Sequence, residues 1–90
     1  MIEISELALN VLFQGLQASH VDRERGLRIK EEGDRLTLEL DKPGKQDRVI
    51  SHNGQKVLII DPGFEARIGD AFIDVEETAE GAEIIMRSGR

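Results

Sequence analysis

The sequence predicts a mainly β, α+β fold with an N-terminal helix and one short internal helix, and three observations predict it. Apolar residues recur every three to four positions near the N-terminus, at Leu9, Leu12, Phe13 and Leu16, which makes a stripe wide enough to lie on a sheet. Farther along, Leu36, Leu38 and Leu40 alternate with Thr37 and Glu39, and the same period of two returns in the last third of the chain, as in half-buried strands. Between them lies Asn53 to Val75, NGQKVLIIDPGFEARIGDAFIDV, which strings together a hairpin turn, an apolar strand, a short helix and a returning strand.

Taken in order, Met1 to Ile4 is extended, with Ile2 and Ile4 on one side. Ser5 caps the helix that follows, because its hydroxyl accepts from a free amide of the first turn. That helix runs to about Ala18, slightly weakened by Gly15. Inside it, LNVLFQG resembles the recognition site of a picornaviral 3C protease used in cloning, but Asn10 and Leu16 depart from the usual Glu and Pro. Such a site belongs in a linker, whereas this segment is part of a well-patterned helix.

Ala18 to Gly26, with Asp22-Arg23-Glu24-Arg25, is a solvated connection. Leu27 to Lys30 and Leu36 to Leu40 form a hairpin around the turn Glu31 to Asp34, with the three leucines of the second strand inward. Asp41 to Lys45 is a loop marked by Pro43 and Gly44. Arg48 to His52 pairs through Asn53-Gly54, two residues that tolerate positive φ, with the buried strand Val57 to Ile60.

Asp61 then Pro62 start a short helix, a carboxylate that accepts from free amides followed by a ring whose missing N–H costs nothing in the first turn. Phe64 and Ile68 stand four apart on its buried face and Gly69 ends it. Asp70 to Val75 returns as a strand with Ala71, Ile73 and Val75 on one face. Asp74 and Glu76 take the other, together with Phe72, which is expected to cover the adjacent helix. Thr78 to Gly81 turns the chain into a last strand where Ala82, Ile84 and Met86 alternate with Glu83, Ile85 and Arg87, and Ser88 to Arg90 fray.

Ninety residues are expected to form one domain, 1–90, with a single modest core. Leu, Ile, Val and Phe make up 27 of the 90 residues, which places the chain above disordered composition. With 18 acidic against 12 basic side chains the formal charge is −6, so a broad attraction to nucleic acid or to an anionic membrane is not expected. No apolar run approaches the roughly 18 residues of a membrane span, and a soluble, cytoplasmic protein is the default expectation.

Candidate chemistry is sparse. Asp70, Asp74, Glu76, Glu77, Glu80 and Glu83 gather six carboxylates without a basic residue between them, an acidic face able to attract a divalent cation or a basic partner, although strand alternation scatters them. His20 and His52 sit in different elements with no third ligand marked by spacing, which favours surface or half-buried roles. No nucleophile triad, phosphate-cradling loop or pair of catalytic carboxylates is recognisable, so an enzyme is not expected. The chain has no cysteine, which excludes disulfides and thiolate ligation from within it.

The order helix, hairpin, Asn-Gly turn, apolar strand, Asp-Pro helix and closing strands resembles the HesB-like, or A-type, iron–sulfur carrier family over nearly the whole chain. The resemblance is carried by Ile2 to Leu16 (IEISELALNVLFQGL), Gly26-Leu27-Arg28-Ile29, Asn53-Gly54-Gln55-Lys56-Val57-Leu58, Asp61-Pro62, and the segment from Ile68 to Val75 that parallels the family's L-D-G-x-x-I-D-Y/F pattern. It implies a compact β-sandwich or pseudo-barrel with an N-terminal helix.

In members that carry clusters, one cysteine lies in a Gly-Cys-Ser-Gly loop after the first core strand and two more in a C-terminal Cys-Gly-Cys. Here the first position is the acidic turn Glu31-Glu32-Gly33-Asp34, and the chain ends Met86-Arg87-Ser88-Gly89-Arg90. The resemblance therefore implies a cysteine-free, degenerate member without bound cofactor. It is expected to be a protein-interaction or accessory domain related to iron–sulfur cluster biogenesis, with assembly components as partners and self-association by family analogy. The alternative is a small-ligand or divalent-cation-binding module that reuses the fold.

Overall fold

The computed structural model describes residues 1–33 and 35–88. Among the described residues seven strands and two helices follow one another as β1 (Ile2–Ile4), α1 (Glu6–Ala18), β2 (Gly26–Glu32), β3 (Arg35–Asp41), β4 (Arg48–His52), β5 (Gln55–Ile60), α2 (Pro62–Ile68), β6 (Ala71–Thr78) and β7 (Gly81–Ser88). The strands form two sheets, one in the order β1-β6-β7 and one in the order β3-β2-β5-β4.

Both helices start where side-chain chemistry dictates. Ser5 Oγ accepts from the Ala8 amide at 3.0 Å, and Asp61 Oδ2 accepts from the Phe64 amide at 3.1 Å with Pro62 in the first turn. α2 stops at Gly69, whose φ of 76° and ψ of −140° suit glycine alone. Asn53 and Gly54, at φ 50° and 79°, make the primed turn that joins β4 to β5.

β5 is the centre of the larger sheet and is buried on both faces, with Val57, Leu58, Ile59 and Ile60 all inaccessible. It runs parallel to β2 and antiparallel to β4, with a bulge between Ile50 and Ser51. Leu12 and Leu16 of α1, Ile29, Phe64, Ala71 and Ile73 join it in a core shared by both sheets, and Leu9, Phe13 and Ile68 pack on its margin. The N-terminal segment completes the smaller sheet: β1 lies parallel to β6, Ile2 beside Ala71 and Ile4 beside Ile73.

Several elements run longer than the sequence predicts. β2 and β3 stay paired from Gly26↔Asp41 to Glu32↔Arg35, so Glu31 and Glu32 belong to the ladder and not to the turn; Asp34 lies outside the described residues. β6 continues to Thr78, since its ladder with β7 holds to the Thr78↔Gly81 pair. At the other end Ser88 is still paired with Ala71, while the fraying expected of Gly89 and Arg90 falls outside the described residues.

Two side-chain expectations are corrected. Leu40 is 45% exposed, at the border of an apolar hollow of about 290 Å³ between α1 and the β2–β3 hairpin that Leu12, Leu16 and Leu27 also line. Phe72 is 38% exposed; it stands in the ladder between Glu3 and Arg87, on the strand face opposite the buried Ala71 and Ile73.

The polar connection between α1 and β2 is exposed, yet it is tied down by a residue that sequence reasoning passed over. Gln55 is 1% exposed, and its amide nitrogen donates to the Asp22 and Arg25 carbonyls at 2.9 and 2.8 Å. Among the described residues no helix is long and apolar enough to cross a membrane.

Candidate functional site

The β2–β3 hairpin is tied down at both ends, by Arg28 at the open end away from the turn and by Glu31 beside the acidic turn. At the open end Arg28 donates to Asp41 at 2.8 Å and to Asp47 at 2.7 and 3.1 Å, fixing the loop that follows β3 against β2. These charged hydrogen bonds, from Asp47 above all, raise the Arg28 pKa further, and they hold both carboxyls below the usual carboxylate range. At the other end Glu31, near the end of β2, accepts from Arg67 of α2, whose guanidinium also lies 5.4 Å from the Phe64 ring centre.

α2 is anchored in turn by Arg48 of β4, which grips Glu65 and the Ile2 carbonyl. Glu65 also accepts from the Ile2 amide at 2.9 Å, so one carboxylate joins α2, β4 and β1. Arg48 first, and then the Ile2 amide, hold the Glu65 carboxyl below its usual range.

Beside the turn, the outer edges of the two sheets approach each other. β3 ends one sheet and β7 the other, and between them runs an open groove of about 560 Å³. Leu36, Leu38, Ile84 and Met86 supply its apolar lining, and Arg35 and Glu83, 3.9 Å apart and both exposed, meet at its mouth. The structure therefore places a lined cleft beside the turn that corresponds, by resemblance, to the family's first cysteine loop.

An iron–sulfur cluster does not fit this donor set. Cluster irons take thiolate or imidazole ligands. Glu31 is already paired with Arg67, no cysteine exists in the chain, and both histidines lie elsewhere. His52 stacks edge-on against Phe13 with ring centres 4.8 Å apart, and His20 follows the C-terminus of α1 with a positive φ of 55°. Among the described residues no three His, Cys, Asp or Glu side chains are grouped to hold a metal ion.

The six carboxylates singled out in the sequence are divided among different places. Asp70 is paired with the N-terminal ammonium, which lowers its pKa. Asp74 accepts from Ser5 Oγ at 2.7 Å and from the Val75 amide at 2.8 Å, Ser5 being the larger cause of its lowered pKa, so it supports the cap of α1. Glu76 and Glu83 are cross-strand partners on one face, whereas Glu77 opposes Ala82 on the other and Glu80 sits in the turn. The Arg35–Glu83 contact brings this hairpin end beside the β2–β3 turn.

No protein-family model matches the chain, and no curated protein matches it. Solved structures do. The crystal structure of Escherichia coli SufA, involved in biosynthesis of iron–sulfur clusters, matches with a TM-score of 0.68 at 16% identity, over 97% of this chain and 84% of that one. IscA with its [2Fe-2S] cluster matches with a TM-score of 0.62 at 19% identity, over 98% and 85%. The solution structure of a protein from Aquifex aeolicus matches with a TM-score of 0.67 at 21% identity, over 94% and 88%. The chain thus has the A-type carrier, or HesB-like, fold and lacks cysteine.

Proposed function

We propose that this chain is a non-catalytic accessory domain of iron–sulfur cluster biogenesis that acts by binding other proteins and carries no cluster of its own. One observation supports this above the others: the carrier fold extends over nearly the whole chain, while beside the β2–β3 turn, where the resemblance puts a cysteine loop, stands Glu31 of β2 paired with Arg67. A chain that keeps the fold without the ligands is suited, on this reading, to binding proteins and not to carrying a cluster. A cytoplasmic setting and self-association belong to the same reading. Affinity capture of the full chain from its native host's lysate, read by mass spectrometry, is expected to enrich iron–sulfur assembly proteins. Their absence from the captured set overturns the proposal.

The divalent-cation alternative rests on the acidic β6–β7 end, where Glu76 and Glu83 face the same side. It has less support, because Asp70 and Asp74 are engaged elsewhere.

A further inference from the structure

The four strand edges of the two sheets are unequal. β1 has three residues and β4 is interrupted by its bulge, two of the devices by which edges avoid unwanted pairing. β7 has neither: its ladder with β6 runs without a register shift from Gly81 to Ser88, and it contains no proline. Alternate residues of an antiparallel edge strand turn their N–H and C=O groups away from the neighbour, so β7 offers a regular row of backbone donors and acceptors on its free side. That side faces the groove, whose opposite wall is the other long regular edge, β3.

The charge around the groove is uneven too. At the end marked by Arg35 and Glu83 stand Glu31 and Glu32 from one hairpin and Glu76, Glu77 and Glu80 from the other. Arg35 contacts Glu83 and Arg67 pairs with Glu31. The far part of the groove is apolar, formed by Leu38, Ile84 and Met86.

We propose that this groove takes one extended segment of a partner protein, which adds as a strand to β7, sets alternating apolar side chains between Ile84, Met86 and Leu38, and places lysine or arginine at the acidic mouth. Strand addition draws affinity from main-chain hydrogen bonds and specificity from pockets for every second side chain, and this groove supplies both. A second copy of the chain fits less well, since it carries a net charge of −6 and brings the same acidic hairpin ends. The inference rests on the protein-binding reading and adds the surface and the chemistry of the bound segment.

The test uses the full chain and a fluorescein-labelled peptide of alternating valine and threonine with a pair of lysines at one end, followed by fluorescence anisotropy and by amide hydrogen exchange. Saturable binding is expected, weakened at least about tenfold, or 1.4 kcal/mol, when the central valine of the peptide is proline, when the lysines are glutamates, or when the chain carries Glu83→Lys. Glu83 is exposed, and an unchanged circular dichroism spectrum establishes that the variant is folded. Exchange is expected to slow along β7 in the complex.

Binding indifferent to the proline, protection confined to other elements, or no binding at all overturns the proposal. So does sedimentation of the chain alone as a dimer with β7 already protected, since the edge is then taken by a second copy. Failure of the peptide with successful lysate capture removes the groove and leaves the functional reading intact. Peptide binding with a capture free of assembly proteins does the reverse.

Discussion

Arg48 donates to both carboxylate oxygens of Glu65, from Nη2 at 2.8 Å and from Nε at 3.2 Å, while Glu65 accepts from the amide of Ile2. This places β1 under the control of a pair that lies in the second half of the chain. Glu65→Ala leaves both the guanidinium and the Ile2 amide without this partner. Hydrogen bonds to charged groups contribute about 1.5–3 kcal/mol, and the partial exposure of Arg48 reduces that, so a loss of about 1–2 kcal/mol is expected in urea denaturation. Amide exchange in β1 should accelerate more than in β5. A loss below about 0.3 kcal/mol means the pair is ornamental.

The same carboxylate sets part of the acid sensitivity. The Glu65 and Asp47 pKa values are lowered in the folded state by Arg48 and Arg28, so the unfolded chain binds more protons than the folded one as pH falls through the carboxylate range. Their stabilisation is present in full above the unfolded values, about 4.3 and 3.9, and is lost as pH falls through the lowered folded values. Thermal midpoints should be nearly level from pH 7 to about pH 5 and fall below that. Glu65→Gln should make the acid limb shallower; an identical limb contradicts the assignment.

In the core, Ile59 is inaccessible in the doubly buried β5, beside Arg28 in the parallel ladder. Ile59→Ala is expected to cost about 2–5 kcal/mol, the sum of lost transfer energy and a residual cavity. Equilibrium unfolding that shows less than about 0.5 kcal/mol places the strand wrongly.

Two glycine substitutions should act in opposite directions. Gly15 lies on the exposed side of α1, and a Cβ there meets nothing within 4 Å, so Gly15→Ala is expected to stabilise by about 0.5–1 kcal/mol. Gly69 holds α2's end at a backbone angle other residues avoid, and Gly69→Ala is expected to cost about 1–3 kcal/mol. Paired thermal denaturation scans check the signs.

Local grammar accounts for what the sequence made legible. Asn53-Gly54 and Asp61-Pro62 bracket β5 on both sides, and Ser5 marks the start of α1, because turns and caps are decided by a few neighbouring residues. What stayed hidden depends on chain segments that meet only in three dimensions. β1 joins β6 across most of the chain, Arg28 finds Asp47 beyond an intervening strand, and Gln55 is buried because it secures the carbonyls of the α1–β2 connection. Alternation placed Leu40 and Phe72 on faces correctly but carries no information on whether anything covers those faces. For the candidate site, the acidic hairpin end was visible at Glu31-Glu32, whereas the groove was not, since it exists only where edges β3 and β7 of separate sheets converge.

Anaerobic reconstitution of the full chain with ferrous iron and sulfide, followed by desalting, tests whether the carrier fold is present here without a place for its cluster. The prediction is a colourless protein with iron and sulfide far below one equivalent of cluster per chain or per oligomer. Stoichiometric, desalting-resistant iron and sulfide with a cluster absorption spectrum contradicts it.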